Sequence, residues 1–111
     1  MERWLEVRGK VQNVMFRQTV IRAMQKRGLE GGATNDSQDK NLVRMTLRGD
    51  VEQMEDLVTA LRQGKALNTW GARATSIKDV DAEHGLTLDA HQVTTTTVDT
   101  RRWNPNITMF I

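Results

Sequence analysis

The apolar residues of the first 80 positions alternate between the spacing of a β-strand and the spacing of an α-helix. Leu5 and Val7 alternate with charged neighbours, which predicts a strand over residues 3–8. From residue 15 to residue 27 the apolar positions recur every three or four residues, which predicts an amphipathic helix. Gly28 follows this segment, and glycine commonly ends a helix. A strand followed directly by a helix excludes all-helical and all-strand folds.

The same alternation is repeated in the next 50 residues. A short glycine-containing strand is predicted at 29–34 and a clear alternating strand at 42–48. Asp50 is a good N-cap for a second helix, which Gly64 closes. An alanine-rich segment at 70–80 is predicted to form a further strand. The predicted order is therefore strand, helix, strand, strand, helix, strand.

This order is the split βαβ pattern, and it predicts an α+β, ferredoxin-like (βαββαβ) sandwich. In this architecture two helices cover one face of an antiparallel sheet, expected here to have four to five strands. With 111 residues the chain can bury one core, so a single domain over 1–111 is expected. The segment 81–103 is predicted to be an extended loop or an extra strand. The apolar run 107–111 is predicted to supply the last strand.

Composition removes several classes of function. The chain has no cysteine, which excludes disulfides, thiolate metal sites and cysteine nucleophiles. No apolar run is long enough to span a membrane, and Met1 is not followed by the apolar stretch of a signal peptide. The cytoplasm is the default compartment in the absence of other signals, and a monomer is expected.

The charges are unevenly distributed although the net charge is only +2. Residues 7–29 contain no acid. The same stretch carries six basic residues: Arg8, Lys10, Arg17, Arg22, Lys26 and Arg27. This asymmetry indicates an anionic partner near the N-terminal third. The alternative interpretation, a solvated basic helix face, fits Arg22, Lys26 and Arg27.

The loop over residues 9–17 joins the first strand to the first helix. The first turn of a helix leaves about four amide N–H groups without partners, and these favour an anion. No acid occupies this first turn, but Arg17 does. A guanidinium suits phosphate because its planar fork donates two parallel hydrogen bonds. The loop therefore predicts a phosphate site, with a functionless exposed arginine as the alternative.

Two segments carry a resemblance to a known family. Gly-Lys-Val-Gln-Asn-Val-Met-Phe-Arg, at 9–17, resembles the acylphosphatase signature Gly-Arg/Lys-Val-Gln-Gly-Val-x-Phe-Arg. Residues 28–35 resemble the second signature, which ends in an asparagine, here Asn35. The likeness covers about residues 3–80, and the spacing from Arg17 to Asn35 also fits.

The resemblance implies a hydrolase that splits the carboxyl-phosphate bond of a small-molecule acyl phosphate. It implies that Arg17 and the loop amides hold the phosphate, while Asn35 orients the attacking water. It also implies that no metal, cofactor or covalent intermediate is needed, and that inorganic phosphate or sulfate can occupy the loop. The implied phosphate-binding residues are Gln12, Asn13, Val14, Met15, Phe16 and Arg17.

Four positions depart from the family pattern, and one of them is Thr34, which replaces a usual basic residue. Asn13 replaces a glycine, and asparagine tolerates the positive φ that such a turn requires. Gly32 replaces a tryptophan and Ala33 replaces a larger apolar residue, which is expected to thin the core beneath Asn35. Asn13 and Gly32 leave open a catalytically weak phosphate-binding or anion-binding module on the same fold.

Other interpretations are weaker. The basic stretch and the sheet topology allow a nucleic-acid-binding domain, but the strand at 42–48 has no aromatic residue to stack on bases. His84 and His91 are not expected to bind metal, because nothing nearby in the sequence completes a site. Trp4 and Trp70 are interpreted as packing residues.

Overall fold

The sheet of this protein has five antiparallel strands, in the order β4 (Arg73–Val80), β1 (Glu2–Lys10), β3 (Leu42–Arg48), β2 (Glu30–Asn35) and β5 (Val93–Thr94). The computed structural model describes residues 1–111. Its strands and helices are β1 Glu2–Lys10, α1 Phe16–Lys26, β2 Glu30–Asn35, β3 Leu42–Arg48, α2 Val51–Arg62, β4 Arg73–Val80 and β5 Val93–Thr94, with 3-10 turns at Leu88–Ala90 and Val98–Thr100. Two helices pack on the sheet, so the predicted ferredoxin-like α+β fold is confirmed.

The predicted helix boundaries agree closely with those of the structure. The Asp50 side chain accepts a hydrogen bond from the Gln53 amide at 3.0 Å, as expected for an N-cap. Alternating residues of β1 and β3 face the helices, and Leu5, Val7, Met45 and Leu47 join one core cluster with both helices. This core fixes the position of the loop between β1 and α1. No helix is long and apolar enough to cross a membrane.

Two strand boundaries differ from the prediction. The strand expected from residue 70 begins instead at Arg73. The side-chain oxygen of the buried Asn68 accepts hydrogen bonds from the backbone N–H groups of Trp70 and Ala72, and these bonds close a turn before the strand. The first strand continues past Gly9, where its pairing with β4 shifts by one residue at a bulge. Gly9 has a φ of 143°, a conformation that favours glycine.

Residues 81–111 wrap around the β2 edge of the sheet. On β3, Thr46 points away from the helices and donates a hydrogen bond to the Leu86 carbonyl at 2.6 Å. Gly85 packs against the indole of Trp4 on the same face. Further along, Val98 reaches the helix side and is fully buried in the core. The C-terminal segment therefore covers both faces of the sheet.

The prediction that residues 107–111 form the last strand is wrong. The fifth strand is Val93–Thr94, which pairs with Gly32 and Ala33 of β2. The terminal run makes one isolated bridge, between Asn68 and Met109. Its backbone partners lie in the loop after α2, where the Phe110 amide donates to the Leu67 carbonyl, so this run does not reach the sheet.

Candidate active site

The loop between β1 and α1 presents a row of free backbone amides. None of the six amides from Gln12 to Arg17 donates a hydrogen bond within the protein. The first amide of the helix that does so belongs to Thr19, which donates to the Met15 carbonyl at 3.0 Å. The loop therefore offers an unusual concentration of unused donors.

The carbonyls of the same loop are held by interior side chains. The buried Asn68 amide donates to the Val14 carbonyl at 2.9 Å, and the Thr19 hydroxyl donates to the Met15 carbonyl at 2.7 Å. In a planar trans peptide the N–H points opposite to the C=O. The amides of Met15 and Phe16 are consequently directed away from the protein interior. Nothing in the sequence identified Asn68 as the residue that orients this loop.

Two residues of the loop have a left-handed backbone. Asn13 has a φ of 65°, as expected where asparagine replaces glycine, and Met15 has a φ of 58°. For a bulky residue such as Met15 this conformation costs about 1–2 kcal/mol. Strain of this kind is typical of functional sites, and alternating backbone conformations turn successive amides toward one anion.

A cavity of about 220 Å³ lies beside this loop. Its lining includes four of the predicted phosphate-binding residues, Asn13, Met15, Phe16 and Arg17, but not Gln12 or Val14. It also includes Val11, Gln18, Trp70, Val93 and Arg101. Trp70 was expected to be a packing residue, but it is 42% exposed and forms part of this wall.

Gln12 instead organises the turn behind Asn35. Its side-chain amide lies within hydrogen-bond distance of the carbonyls of Asp36, Asp39 and Leu42, at 2.9–3.2 Å. The side chain of Gln12 thus connects the loop over residues 9–17 to the turn between β2 and β3. This contact connects the first signature segment to the turn that directly follows Asn35.

The Arg17 guanidinium has no acidic partner. One nitrogen, Nη1, donates to the side-chain oxygen of Gln92 at 2.8 Å. Partial burial, and after it the positive charge of Arg101, lower the pKa of Arg17. An arginine nevertheless stays charged at neutral pH, so a half-buried positive charge faces the cavity.

Asn35 ends β2 and meets Arg17 through the same glutamine. The Asn35 amide N–H donates to Gln92 Oε1 at 3.0 Å, so Arg17 Nη1 and the Asn35 backbone are two hydrogen bonds apart. The side-chain oxygen of Asn35 is buried and has no hydrogen-bond partner. Asn35 itself does not line the 220 Å³ cavity. Gln92 was missed by the sequence analysis.

Comparison with known proteins places this loop in a family. The family model described as Acylphosphatase matches residues 4–88. The chain belongs to the acylphosphatase family. Its activity is therefore the hydrolysis of acyl phosphates, and its substrate is a small molecule. Among curated proteins, none matches the chain.

Solved structures agree with this assignment. The acylphosphatase from Bacillus subtilis is 26% identical, with a TM-score of 0.59 over 82% of this chain and 92% of that one. An acylphosphatase from Coxiella burnetii is 22% identical, with a TM-score of 0.56 over 82% of this chain and 87% of that one. At this identity the similarity supports the fold only. T. kodakarensis HypF is 27% identical with a TM-score of 0.57, over 75% of this chain and 11% of that much longer one.

The expected thinning of the core beneath Asn35 does not occur. Where the acylphosphatase signature has tryptophan, this chain has Gly32, and the imidazole of His91 packs directly on it. A Cβ on Gly32 would lie 2.5 Å from the His91 ring. Val93 covers the neighbouring Ala33, and both are buried. The C-terminal segment thus fills the space that the two small residues leave.

His91 also joins the sheet to Gln92 by a chain of hydrogen bonds with a defined direction. Thr46 donates to Leu86, so its oxygen must accept from His91 Nε2 at 2.7 Å. His91 Nδ1 then accepts from the Thr34 hydroxyl at 2.9 Å, and that hydroxyl accepts from the Gln92 amide at 2.9 Å. The chain requires a neutral imidazole. Burial accordingly lowers the pKa of His91 to about 4.

This network predicts an acid-dependent loss of stability. The pKa of His91 is about 4 in the folded protein and about 6.5 in the unfolded chain, so the contribution is complete above pH 6.5 and is lost toward pH 4. Each pKa unit corresponds to about 1.4 kcal/mol, so we expect a loss of about 1–3 kcal/mol in the free energy of unfolding between pH 7 and pH 4. Urea denaturation at pH 7 and pH 4 should show this loss.

The variant His91→Gln should be less stable at pH 7, and its deficit relative to wild type should shrink as the pH falls. His84→Gln is the matched control, because it changes an exposed histidine outside the chain of hydrogen bonds. A deficit of His91→Gln that stays constant from pH 7 to pH 4 would contradict the assignment of a neutral ring.

Proposed function

We propose that this acylphosphatase holds the phosphate of its substrate with Arg17 and the amides of residues 12–17, and that Asn35 orients the attacking water. The observation that carries the proposal is the set of six loop amides without partners, next to an arginine without an acid. Such an arrangement is electrostatically incomplete, and a phosphate dianion would complete it.

The free edge of Arg17 suits a phosphate. A guanidinium carries five N–H donors, and only Nη1 of Arg17 is engaged, by Gln92. The edge formed by Nε and Nη2 therefore remains for two parallel bonds to phosphate oxygens. Gln92 limits the motion of the side chain without neutralising it. The arginine is thereby pre-organised, and little entropy is lost when the anion binds.

The role proposed for Asn35 rests on its unpaired oxygen. A buried carbonyl oxygen without a donor is unfavourable by about 1–3 kcal/mol. A water that donates a hydrogen bond to this oxygen would satisfy it. Because the oxygen is enclosed and Asn35 does not line the cavity, the side chain must turn toward the Arg17 loop to hold that water beside the phosphate. The adjacent backbone N–H of Asn35 is fixed by Gln92 at 3.0 Å, so the side chain starts from a defined position.

The chemistry requires no further group. The water oxygen bonds to phosphorus, the bond from phosphorus to the acyl oxygen breaks, and the acyl part leaves as a carboxylate. Both protons of the water end on the phosphate, as dihydrogen phosphate. A carboxylate is a good leaving group, so positioning and charge stabilisation supply the catalysis. No cluster of three or more histidines, aspartates or glutamates suits a metal.

The proposal is tested by turnover of the wild-type protein. Benzoyl phosphate in buffer containing a chelator should be hydrolysed, with inorganic phosphate acting as a competitive inhibitor because it occupies the same loop. If phosphate binds, as seen in an NMR titration, but no hydrolysis occurs, the protein is the weak anion-binding module and the catalytic roles are wrong.

A further inference from the structure

A second arginine reaches the cavity from outside the part of the chain that matches the family model. Arg101 follows the 3-10 turn Val98–Thr100 and lines the 220 Å³ cavity together with Arg17. The family model ends at residue 88, so Arg101 lies beyond the part of the chain that the model describes. The acylphosphatase motifs therefore assign it no role.

Neither cavity arginine is neutralised. Six other arginines form ion pairs with acids: Arg3, Arg8, Arg27, Arg44, Arg48 and Arg62. Arg17 and Arg101 form none, and they are the two unpaired arginines that line this cavity. Partial burial and, after it, the charge of Arg101 lower the pKa of Arg17. Two like charges on one small cavity repel each other unless anions lie between or beside them. The cavity is therefore suited to a ligand with more negative charge than one arginine can balance.

Gln92 sets the separation of the two guanidinium groups. Its side-chain oxygen accepts from Arg17 Nη1 at 2.8 Å, while its backbone carbonyl accepts from Arg101 Nη2 at 3.0 Å. The two cations thus contact opposite ends of one residue and lie about one glutamine side chain apart. Arg101 is placed to meet a group displaced from the phosphate. Trp70 and Val93 supply an apolar wall of the same cavity.

We propose that Arg101 is a specificity-determining residue, and that the preferred substrate is an acyl phosphate whose acyl part carries a second anionic group such as a carboxylate. The inference rests on the proposed function, in which Arg17 and the loop amides hold the phosphate. Arg101 then binds the carboxylate at the far end of the acyl part. An acyl part without a charge leaves Arg101 unpaired and is bound less well.

Rigid aromatic substrates test this preference. Benzoyl phosphate, 4-methylbenzoyl phosphate and 4-carboxybenzoyl phosphate share one reacting centre, and the last adds a carboxylate that cannot reach its own acyl carbon. We expect kcat/KM to be about tenfold higher for the 4-carboxy compound than for the other two, as for one charge-assisted hydrogen bond. Arg101→Ala should remove this preference, so that kcat/KM for the 4-carboxy compound falls to the value for the other two substrates.

Arg102→Ala is the matched control, because Arg102 is an exposed neighbour that does not line the cavity. It should keep the wild-type preference, and Arg101→Lys should keep part of it. An absent preference in wild type, or an equal preference in Arg101→Ala, would overturn the proposal. An equal loss of kcat/KM on all three substrates in Arg101→Ala would also overturn the proposal, because it would mean that Arg101 binds the phosphate.

Binding separates this inference from the catalytic proposal. The stable analogues benzoylphosphonate and 4-carboxybenzoylphosphonate can be titrated against the fluorescence of the protein, in which Trp70 lines the cavity. Tighter binding of the carboxy analogue, lost in Arg101→Ala, would support the two-anion site even if no turnover is found. Equal dissociation constants for both analogues would reject it whether or not the protein is active.

Discussion

Arg17→Ala should lower kcat/KM for benzoyl phosphate by about 10³-fold or more, which is the scale on which arginines act in phosphoryl transfer. This variant removes two contributions of the proposed mechanism: the pair of hydrogen bonds from the guanidinium edge to the phosphate, and the positive charge that stabilises the transition state. Phosphate affinity should fall as well, because the loop amides alone remain. Steady-state kinetics and an NMR titration with inorganic phosphate measure the two effects separately.

Two variants make this result interpretable. Arg17→Lys keeps the charge without the planar fork, and it should recover only a minor part of the rate. Lys26→Ala removes a cation from the last turn of the same helix, far from the loop amides, and should leave the kinetics near wild type. If Arg17→Ala retains wild-type kcat/KM while it is folded by circular dichroism, Arg17 is not the phosphate-binding residue.

The fold was predictable because most of its elements are specified locally. Alternation in residues 42–48 and the helical stripe after Asp50 each depend on neighbours a few positions away, and both elements were found where they were predicted. The loop between β1 and α1 is equally local, since residues 9–17 form one uninterrupted segment. The Bacillus subtilis acylphosphatase shares this architecture at 26% identity.

The C-terminal contribution could not be predicted, because its contacts are distant in sequence. Gln92 meets Arg17 across 75 positions and Asn35 across 57. Its segment is short of apolar periodicity, and β5 contains only two residues. Without the register of β5 on β2, the sequence does not reveal that residue 91 lies over residue 32. The small residues of β2 therefore suggested a thin core where a histidine fills the space.

The strain at Met15 was hidden for a different reason. A methionine ordinarily avoids positive φ, so its residue type argued against the conformation that it adopts. Its backbone is held by the Thr19 hydroxyl, while the buried Asn68 holds the preceding carbonyl. Asn13 could be interpreted correctly because asparagine itself tolerates this conformation. The residue type therefore predicted the left-handed conformation of Asn13, whereas tertiary contacts impose that of Met15.

Asn35→Ala should reduce kcat for benzoyl phosphate by about 10²–10³-fold while leaving phosphate affinity nearly unchanged. The substitution removes the buried oxygen that would hold the water but keeps the backbone N–H that Gln92 accepts. In the proposed mechanism Arg17 and the loop amides hold the phosphate, and this change does not touch them. KM should consequently move much less than kcat, in contrast to Arg17→Ala.

Asn41→Ala is the matched control, because this exposed asparagine lies in the turn after β2 and its side chain forms no hydrogen bond. It should have wild-type kcat. A loss of phosphate affinity in Asn35→Ala as large as its loss of kcat would assign Asn35 to phosphate binding and not to the water. An unchanged kcat would mean that the loop and Arg17 align the water by themselves. The ratio of the two losses therefore distinguishes positioning of the nucleophile from binding of the anion.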